Sequence, residues 1–218
     1  NSYFKDLNTG FVMCELLGMS ANVPTDICFS FTGLTRRGGK TGPHADGWGI
    51  TFYDDKGCRS FKDTLPACES AIAQFIQNYP IKSRAVISHI RQANVGKVAL
   101  ENTHPFTREL WGREWTFAHN GQVPLFLREP GPYEPVGETD SELLFCDLMN
   151  RTHYALPRDA MPEQLAVLLV EIANDYASRG VFNCLLSNGD WLFTYCSTKM
   201  ASITRRAPFG PAQLKDAD

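Results

Sequence analysis

The chain lacks the long apolar segments of a membrane protein. No stretch approaches the ~20 residues of a transmembrane helix, and nothing resembles a signal peptide. It has no surplus of one charge, since 21 Lys and Arg are balanced by 24 Asp and Glu, which argues against nucleic-acid binding. The seven cysteines contain no C-x-x-C spacing, so neither a zinc site nor a disulfide framework is indicated. We expect a soluble protein of a reducing compartment, the bacterial-type cytoplasm, without metal or cofactor.

The 218 residues contain no internal repeat and no linker, which predicts one domain over residues 14–218. Residues 1–13 lack the pattern of the rest of the chain, and we interpret them as an extension: a tag, upstream residues or a propeptide. The abrupt end of the chain leads us to expect that the domain is either truncated at its C-terminus or lacks its last strands.

Hydrophobic patterns predict strands and helices that come in pairs rather than in strict alternation. The glycine-rich stretch 36–49 predicts a long loop. Strands are predicted from residue 13 and over 49–53, 58–61, 84–90, 115–118, 181–187 and 191–197, and helices over 67–79, from Thr139 and over 162–178. This order favours an α+β fold of stacked antiparallel sheets with helical layers over a doubly wound parallel sheet.

Cys14 stands directly after Met13 and before an apolar run. If Met13 is an initiator that is removed, Cys14 carries both a thiol and a free α-amino group. A thiol titrates near ~8.5 and an α-amine near ~7.7–8.0, so the amine can accept the thiol proton without a histidine. The alternative is a cysteine that simply packs in the core, which is usual for this residue type.

Polar residues at strand ends and at a helix start offer a substrate site for such a nucleophile. Arg91 presents a planar fork suited to a carboxylate, although an arginine there can also reach solvent. Asn120 and Gly121 could aim N–H groups at a developing oxyanion, or form a common turn. Asp140 could hold an ammonium group, or only favour the helix dipole.

The ordered set of motifs resembles one family. The motifs are, in order, an N-terminal cysteine, an Arg37-Gly38 loop, D-G-W-G-I, H-x-R, T-H-P-F, H-N-G and E-T-D. This order is similar to that of the class II glutamine amidotransferases, which are N-terminal nucleophile hydrolases. The resemblance runs from Cys14 to at least Arg206 and is greatest to the stand-alone bacterial branch without a synthetase domain. It implies a four-layer αββα fold, with two stacked and mainly antiparallel sheets between helical layers.

The resemblance also implies roles for individual residues. Cys14 would be the nucleophile, activated by its own α-amine, and Asn120 and Gly121 would form the oxyanion hole. Three histidines in matching motifs would have supporting roles rather than transfer protons: His89, His104 and His119.

Substrate binding would involve a second set of residues. Arg91, helped by Asn94, would pair with the α-carboxylate of glutamine, and Asp140 would take its α-ammonium group. Arg37 would support the surroundings of the Cys14 amine and thiol. Gln92 departs from relatives that feed synthetases, in which tryptophan follows the arginine and is associated with gating an ammonia tunnel.

These roles imply hydrolysis of the glutamine side-chain amide through a cysteinyl thioester, with release of ammonia to an acceptor or a separate synthetase subunit. No nucleic-acid or membrane partner is expected. One alternative is a hydrolase of γ-glutamyl amides or peptides with the same chemistry. Another is an inactive binding or scaffold subunit, in which the extension blocks Cys14. Relatives of this branch continue past residue 218 with more sheet.

Overall fold

The structure is a computed structural model that describes residues 14–93, 96–124 and 130–208. The predicted extension, residues 1–13, lies outside these ranges. The elements in chain order are β1 (Glu15–Thr25), α1 (Cys28–Arg37), β2 (Trp48–Asp54), β3 (Gly57–Asp63), α2 (Ala71–Asn78), β4 (Ser83–Ile90), a 3₁₀ turn (Leu100–Asn102), β5 (Phe106–Leu110), β6 (Arg113–Gln122), α3 (Asp140–Ala155), α4 (Pro162–Arg179), β7 (Val181–Ser187) and β8 (Leu192–Cys196).

Eight strands form two four-stranded sheets, ordered β1-β4-β2-β3 and β5-β6-β7-β8. All strand pairs within them are antiparallel. The sheets stack through a small apolar cluster of Ile87, Ala118 and Leu185, against which Leu16 and Leu192 pack. Burial of this inner layer excludes water and holds the ends of β1, β4 and β6 close together.

Helices cover the outer face of each sheet. On the first sheet, Phe31 of α1 packs against Trp48 with ring centroids 5.6 Å apart. On the second, Phe145 of α3 stacks on Phe117 at 5.1 Å. The predicted αββα arrangement is therefore confirmed. Within the three described ranges, no helix combines the length and apolar character needed to cross a membrane.

Most predicted elements are present, with shifted ends. The helix predicted over 67–79 is shorter, because the Ser70 hydroxyl caps it by accepting the Ala73 N–H at 3.3 Å. The helix predicted from Thr139 is present, and the Thr139 hydroxyl accepts the Glu142 N–H at 3.2 Å. The expected loop over 36–49 begins only at Gly38, because its first two residues end α1.

Two elements, α1 and β5, were not predicted. The first residue of α1 follows Ile27, which makes no side-chain cap hydrogen bond; only the Asp26 carboxylate, one residue earlier, accepts the Cys28 N–H at 2.5 Å. Its stability instead comes from burial of Phe31 and Leu34. The β5 segment, F-T-R-E-L, has apolar residues only at its ends and lies at the edge of its sheet.

Candidate active site

Cys14 lies immediately before β1, beside the end of β4. Register places Glu15 opposite Ile90, so the cysteine meets the chain just after β4. The Gln92 N–H donates to Cys14 Sγ at 3.2 Å, and the thiol lies 3.4 Å from the Gln92 carbonyl oxygen. The nucleophile predicted from sequence is thus held by the backbone of Gln92, whose contribution the sequence did not indicate.

The pKa of the Cys14 thiol reports which charged groups surround it. Burial, the largest effect, raises this pKa; the Gln92 backbone and the Arg91 charge lower it, and the Asp140 charge raises it. Two of the residues predicted to bind substrate therefore act on the sulfur electrostatically. The net upward shift keeps the thiol protonated at neutral pH.

Arg91 follows β4 directly and is 3% exposed. Its guanidinium donates to the carbonyl oxygens of Lys97 at 3.1 Å and Gly96 at 3.2 Å. Burial lowers the pKa of this guanidinium, while the nearby Cys14 and Asp46 raise it. An oriented and partly desolvated guanidinium is well suited to bind a carboxylate. Asn94, the predicted helper of Arg91, lies outside the described residues.

Asp140 is the first residue of α3. One carboxylate oxygen accepts the Val123 N–H at 3.0 Å, and the other accepts the Ser141 N–H at 2.8 Å. The alternative that Asp140 only favours the helix dipole does not account for its bond to Val123. This bond fixes the carboxylate between the end of β6 and the start of α3.

Asn120 and Gly121 lie within β6, paired with Asn183 and Phe182 of β7, so they do not form a turn. The Asn120 side-chain amide donates to the Cys14 carbonyl oxygen at 2.5 Å, which places it against the nucleophilic residue. An amide nitrogen has two N–H groups, and this carbonyl takes one of them. The Asn183 amide, which no sequence pattern marked, supports the strand by donating to the Asn120 carbonyl at 2.9 Å.

Glycine is required at position 121. A Cβ atom there would lie 1.9 Å from the Val181 carbonyl oxygen, and the residue has φ +154°. Any side chain would push β6 away from β7 and move the neighbouring amide of Asn120. The H-N-G motif is thus explained by close backbone packing beside the site.

Arg37 ends α1 and pairs with the residue that follows Cys14. Its guanidinium lies 3.0 Å from both carboxylate oxygens of Glu15. The side chain is 46% exposed, so the pair adds little stability. The structure brings Arg37 beside the start of β1, and its ion pair with Glu15 agrees with a supporting position rather than direct contact with substrate.

The three histidines of the matching motifs are buried next to these residues. The rings of His89 and His104 lie 4.1 Å apart, and burial lowers the pKa of His89 to about 3. His119 Nε2 lies 3.2 Å from the Val181 carbonyl oxygen and Nδ1 lies 2.9 Å from the Ser141 hydroxyl. Because a carbonyl only accepts, Nε2 carries the proton and Nδ1 accepts from Ser141. His119 thereby ties β6 and β7 to the start of α3.

The site contains a cysteine thiol, a buried cation and an anchored carboxylate, contributed by segments distant in sequence. Among the described residues, no group of three or more His, Cys, Asp or Glu side chains is placed to hold a metal ion. The arrangement suits acyl transfer from a zwitterionic substrate, in which Cys14 attacks while opposite charges hold the two ionic groups.

Comparison with known proteins agrees with this chemistry. A family model described as class-II glutamine amidotransferases matches residues 13–218. The Escherichia coli (strain K12) protein YafJ, which bears a glutamine amidotransferase name, is 60% identical over 210 residues, covering 94% of this chain and 82% of YafJ. A 2.0 Å crystal structure from Pseudomonas aeruginosa PA01, described as a predicted glutamine amidotransferase, has 60% identity and a TM-score of 0.75, covering 94% of this chain and 81% of that one.

A more distant relative bears a hydrolase name. It is the gamma-glutamyl-hercynylcysteine sulfoxide hydrolase of Mycobacterium tuberculosis (strain CDC 1551 / Oshkosh), 28% identical over 165 residues, which are 75% of this chain and 64% of the relative. The family model and the two nearer relatives agree with each other and with the motifs around Cys14. The chain belongs to the class II glutamine amidotransferases.

Proposed function

We propose that residues 14–218 form an amidotransferase domain that hydrolyses the side-chain amide of glutamine through a thioester on Cys14. The observation that carries this proposal is the meeting of three segments, distant from Cys14 in sequence, at this residue. The Gln92 backbone contacts the sulfur, the Asn120 amide contacts the cysteine carbonyl, and the charges of Arg91 and Asp140 both act on the thiol.

Opposite charges select a zwitterionic substrate in this proposal. The guanidinium of Arg91 pairs with the α-carboxylate of glutamine, and the carboxylate of Asp140 pairs with its α-ammonium group. Asn94, three residues after Arg91, assists with the carboxylate. These contacts leave the side-chain amide as the end that faces Cys14, which supplies the orientation that attack requires.

The chemical steps follow from the groups at the site. The sulfur attacks the amide carbon while the thiol proton passes to the α-amine of Cys14. Charge develops on the amide oxygen, which the second N–H of Asn120 and the backbone N–H of Gly121 stabilise. The C–N bond then breaks, and ammonia leaves with the proton returned by the amine. Water attacks the thioester, which releases glutamate and restores the thiol.

The α-amine of Cys14 serves as the base in this proposal. Burial raises the pKa of the thiol, so a base must remove its proton at neutral pH. The neighbouring Arg91 cannot act as a base, and the imidazole of His89, with a pKa of about 3, is a very weak one. We therefore propose that the bond between Met13 and Cys14 is cleaved in the active protein.

The free state of all seven cysteines supports a reducing compartment, the cytoplasm. We propose that the ammonia passes to an acceptor on a separate protein.

The second candidate is hydrolysis of γ-glutamyl amides or peptides, favoured by the relative whose name includes a γ-glutamyl substrate. The same groups would hold the glutamyl part, and only the leaving amine would differ. A third candidate, a non-catalytic scaffold, requires Cys14 to remain joined to Met13.

The test uses protein that begins at Cys14, compared with protein that retains residues 1–13. The first should release equal amounts of glutamate and ammonia from glutamine, and a glutamine-analogue electrophile should label Cys14, as mapped by mass spectrometry. Cys14→Ala is the matched control for both readouts. Absence of turnover and labelling would refute the proposal, whereas faster turnover of γ-glutamyl conjugates than of glutamine would establish the second candidate.

A further inference from the structure

A cavity lies at one flank of the sandwich, between the edge strands β3 and β5. Its volume is about 410 Å³, and its lining includes Lys62 from β3, Phe106 and Arg108 from β5, and Glu142 from α3. We call it the flank cavity. None of the residues placed around Cys14 lines it, so it is separate from the candidate active site.

Lys62 provides a cation in the flank cavity. Its ammonium nitrogen lies 5.5 Å from the centroid of the Phe106 ring. Among the described residues, no carboxylate forms an ion pair with it and no group hydrogen-bonds to it. Burial, the largest effect, and the Arg108 charge lower the pKa of this ammonium to about 8, although the charges of Glu142 and Cys58 raise it.

The charge of Glu142 raises the pKa of Lys62, but both oxygens of this carboxylate hydrogen-bond to other groups and neither forms an ion pair with the ammonium. One oxygen of Glu142 accepts from Arg108 at 2.6 Å, and the other accepts the Gly137 N–H at 2.7 Å. The other two carboxylates of the lining also have partners. Glu114 accepts a hydrogen bond from the Cys58 N–H at 2.6 Å, and Glu101 forms an ion pair with Lys97 at 3.2 Å.

Arg108, the other cation of the lining, also has hydrogen-bond partners within the protein. Besides its bond to Glu142, Arg108 donates to the Thr107 carbonyl oxygen at 2.9 Å and to the Glu134 carbonyl oxygen at 3.2 Å. The described part of the flank cavity therefore has one ammonium group without a counter-ion, next to the apolar surfaces of Phe106, Leu100 and Val136.

We propose that the flank cavity binds a small monocarboxylate, whose carboxylate pairs with Lys62 and whose apolar part packs against Phe106. A single ammonium matches a monoanion, whereas a phosphate dianion requires several donors such as an arginine fork or a cluster of backbone N–H groups. The apolar surface of Leu100 and Val136 favours a ligand with a short hydrocarbon chain over a fully polar anion.

Nuclear magnetic resonance of the full chain labelled with ¹³C-lysine tests the proposal, with butyrate as the probe. The Lys62 Cε signal, assigned by its loss in Lys62→Met, should shift saturably with butyrate. Its titration midpoint should rise above pH 8 in the complex, because a carboxylate stabilises the charged ammonium. Butyramide, which has the same shape without charge, should cause no such shift.

Variants provide a second readout. Lys62→Met should weaken butyrate binding about tenfold or more, the usual effect of losing a charge-assisted hydrogen bond, while Lys199→Met, an exposed lysine, should bind as the parent does. An unchanged Lys62 signal, or an equal response to butyramide, would overturn the proposal. So would tighter binding of inorganic phosphate than of butyrate. If Lys62→Met does not fold, Lys62→Arg provides the assignment, because arginine keeps the positive charge and carries no ¹³C-lysine label. No readout depends on glutaminase activity.

Discussion

Replacement of Asp140 by asparagine separates substrate binding from the chemistry of the Cys14 thiol. The carboxylate raises the pKa of Cys14 by its charge, and in the proposed function it also holds the α-ammonium group of the substrate. Loss of the charge should therefore make the thiol more acidic while it weakens the enzyme. The variant should thus have a thiol that ionises more easily but a lower rate of turnover, so the two effects can be distinguished.

The magnitudes follow from the contacts of the carboxylate. Its oxygens accept the N–H groups of Val123 at 3.0 Å and Ser141 at 2.8 Å. Asparagine retains one acceptor oxygen, so one of these N–H groups loses its partner, at a cost of about 1–3 kcal/mol in the free energy of unfolding. Loss of a charged partner for the ammonium costs about 1.5–3 kcal/mol, so kcat/KM should fall about 10- to 100-fold.

Two assays on protein that begins at Cys14 check both effects. Steady-state glutamine hydrolysis should show the fall in kcat/KM, and the pH profile of iodoacetamide alkylation should move to lower pH. Glu138→Gln, which removes an exposed charge beside the same helix start, is the matched control and should change neither. Unchanged kcat/KM, or an alkylation profile displaced to higher pH, would refute the reasoning.

Three further predictions concern neighbouring residues. Asn120→Ala should lower kcat by about 10²–10³ with little change in KM, measured by steady-state kinetics, and an equal rise in KM would contradict an oxyanion role. Gly121→Ala should lower the Tm and abolish turnover, because its Cβ would meet the Val181 carbonyl at 1.9 Å; a parent-like melting curve would contradict this. The pKa of His89 is about 3 when folded against 6.5 ordinarily, so the unfolded chain takes up its proton first. Below pH 6.5 this residue should cost about 1.4 kcal/mol of unfolding free energy per pH unit, and His89→Phe should remove that slope in urea titrations; an unchanged slope would be inconsistent with a buried neutral imidazole.

Elements with strong local signals could be predicted from the sequence. The Thr139 cap and the apolar spacing behind it predicted α3, and Asn188-Gly189 predicted the turn between β7 and β8. The helix α1 could not be predicted, because its N-cap residue Ile27 lacks a capping side chain and its stability depends on packing against the sheet. Local helix propensity is a weak predictor of a helix whose stability comes from tertiary burial.

The candidate site likewise has residues that could be predicted from the sequence and contacts that could not. Cys14, Arg91, Asn120, Gly121 and Asp140 could be identified from motif order and chemistry. Two of their contacts could not, because strand pairing within the first sheet brings Gln92 to Cys14 and the stacking of the two sheets brings Asn120 to Cys14. Backbone atoms of Gln92 and Val123 carry no side-chain signature at all, so their contacts with Cys14 and Asp140 are invisible in the sequence.

From the sequence alone, Cys14 was predicted as the nucleophile and Arg91 and Asp140 as partners of a zwitterion. Strands were expected to follow strands and helices to follow helices. These predictions depend on residue type and local spacing. The tertiary structure decided that Asn120 and Gly121 belong to a strand rather than a turn, because pairing with β7 extends β6 through them. It also decided that the thiol is hard to ionise, because burial depends on how the sheets close around Cys14. Desolvation and cross-strand pairing are properties of the folded chain.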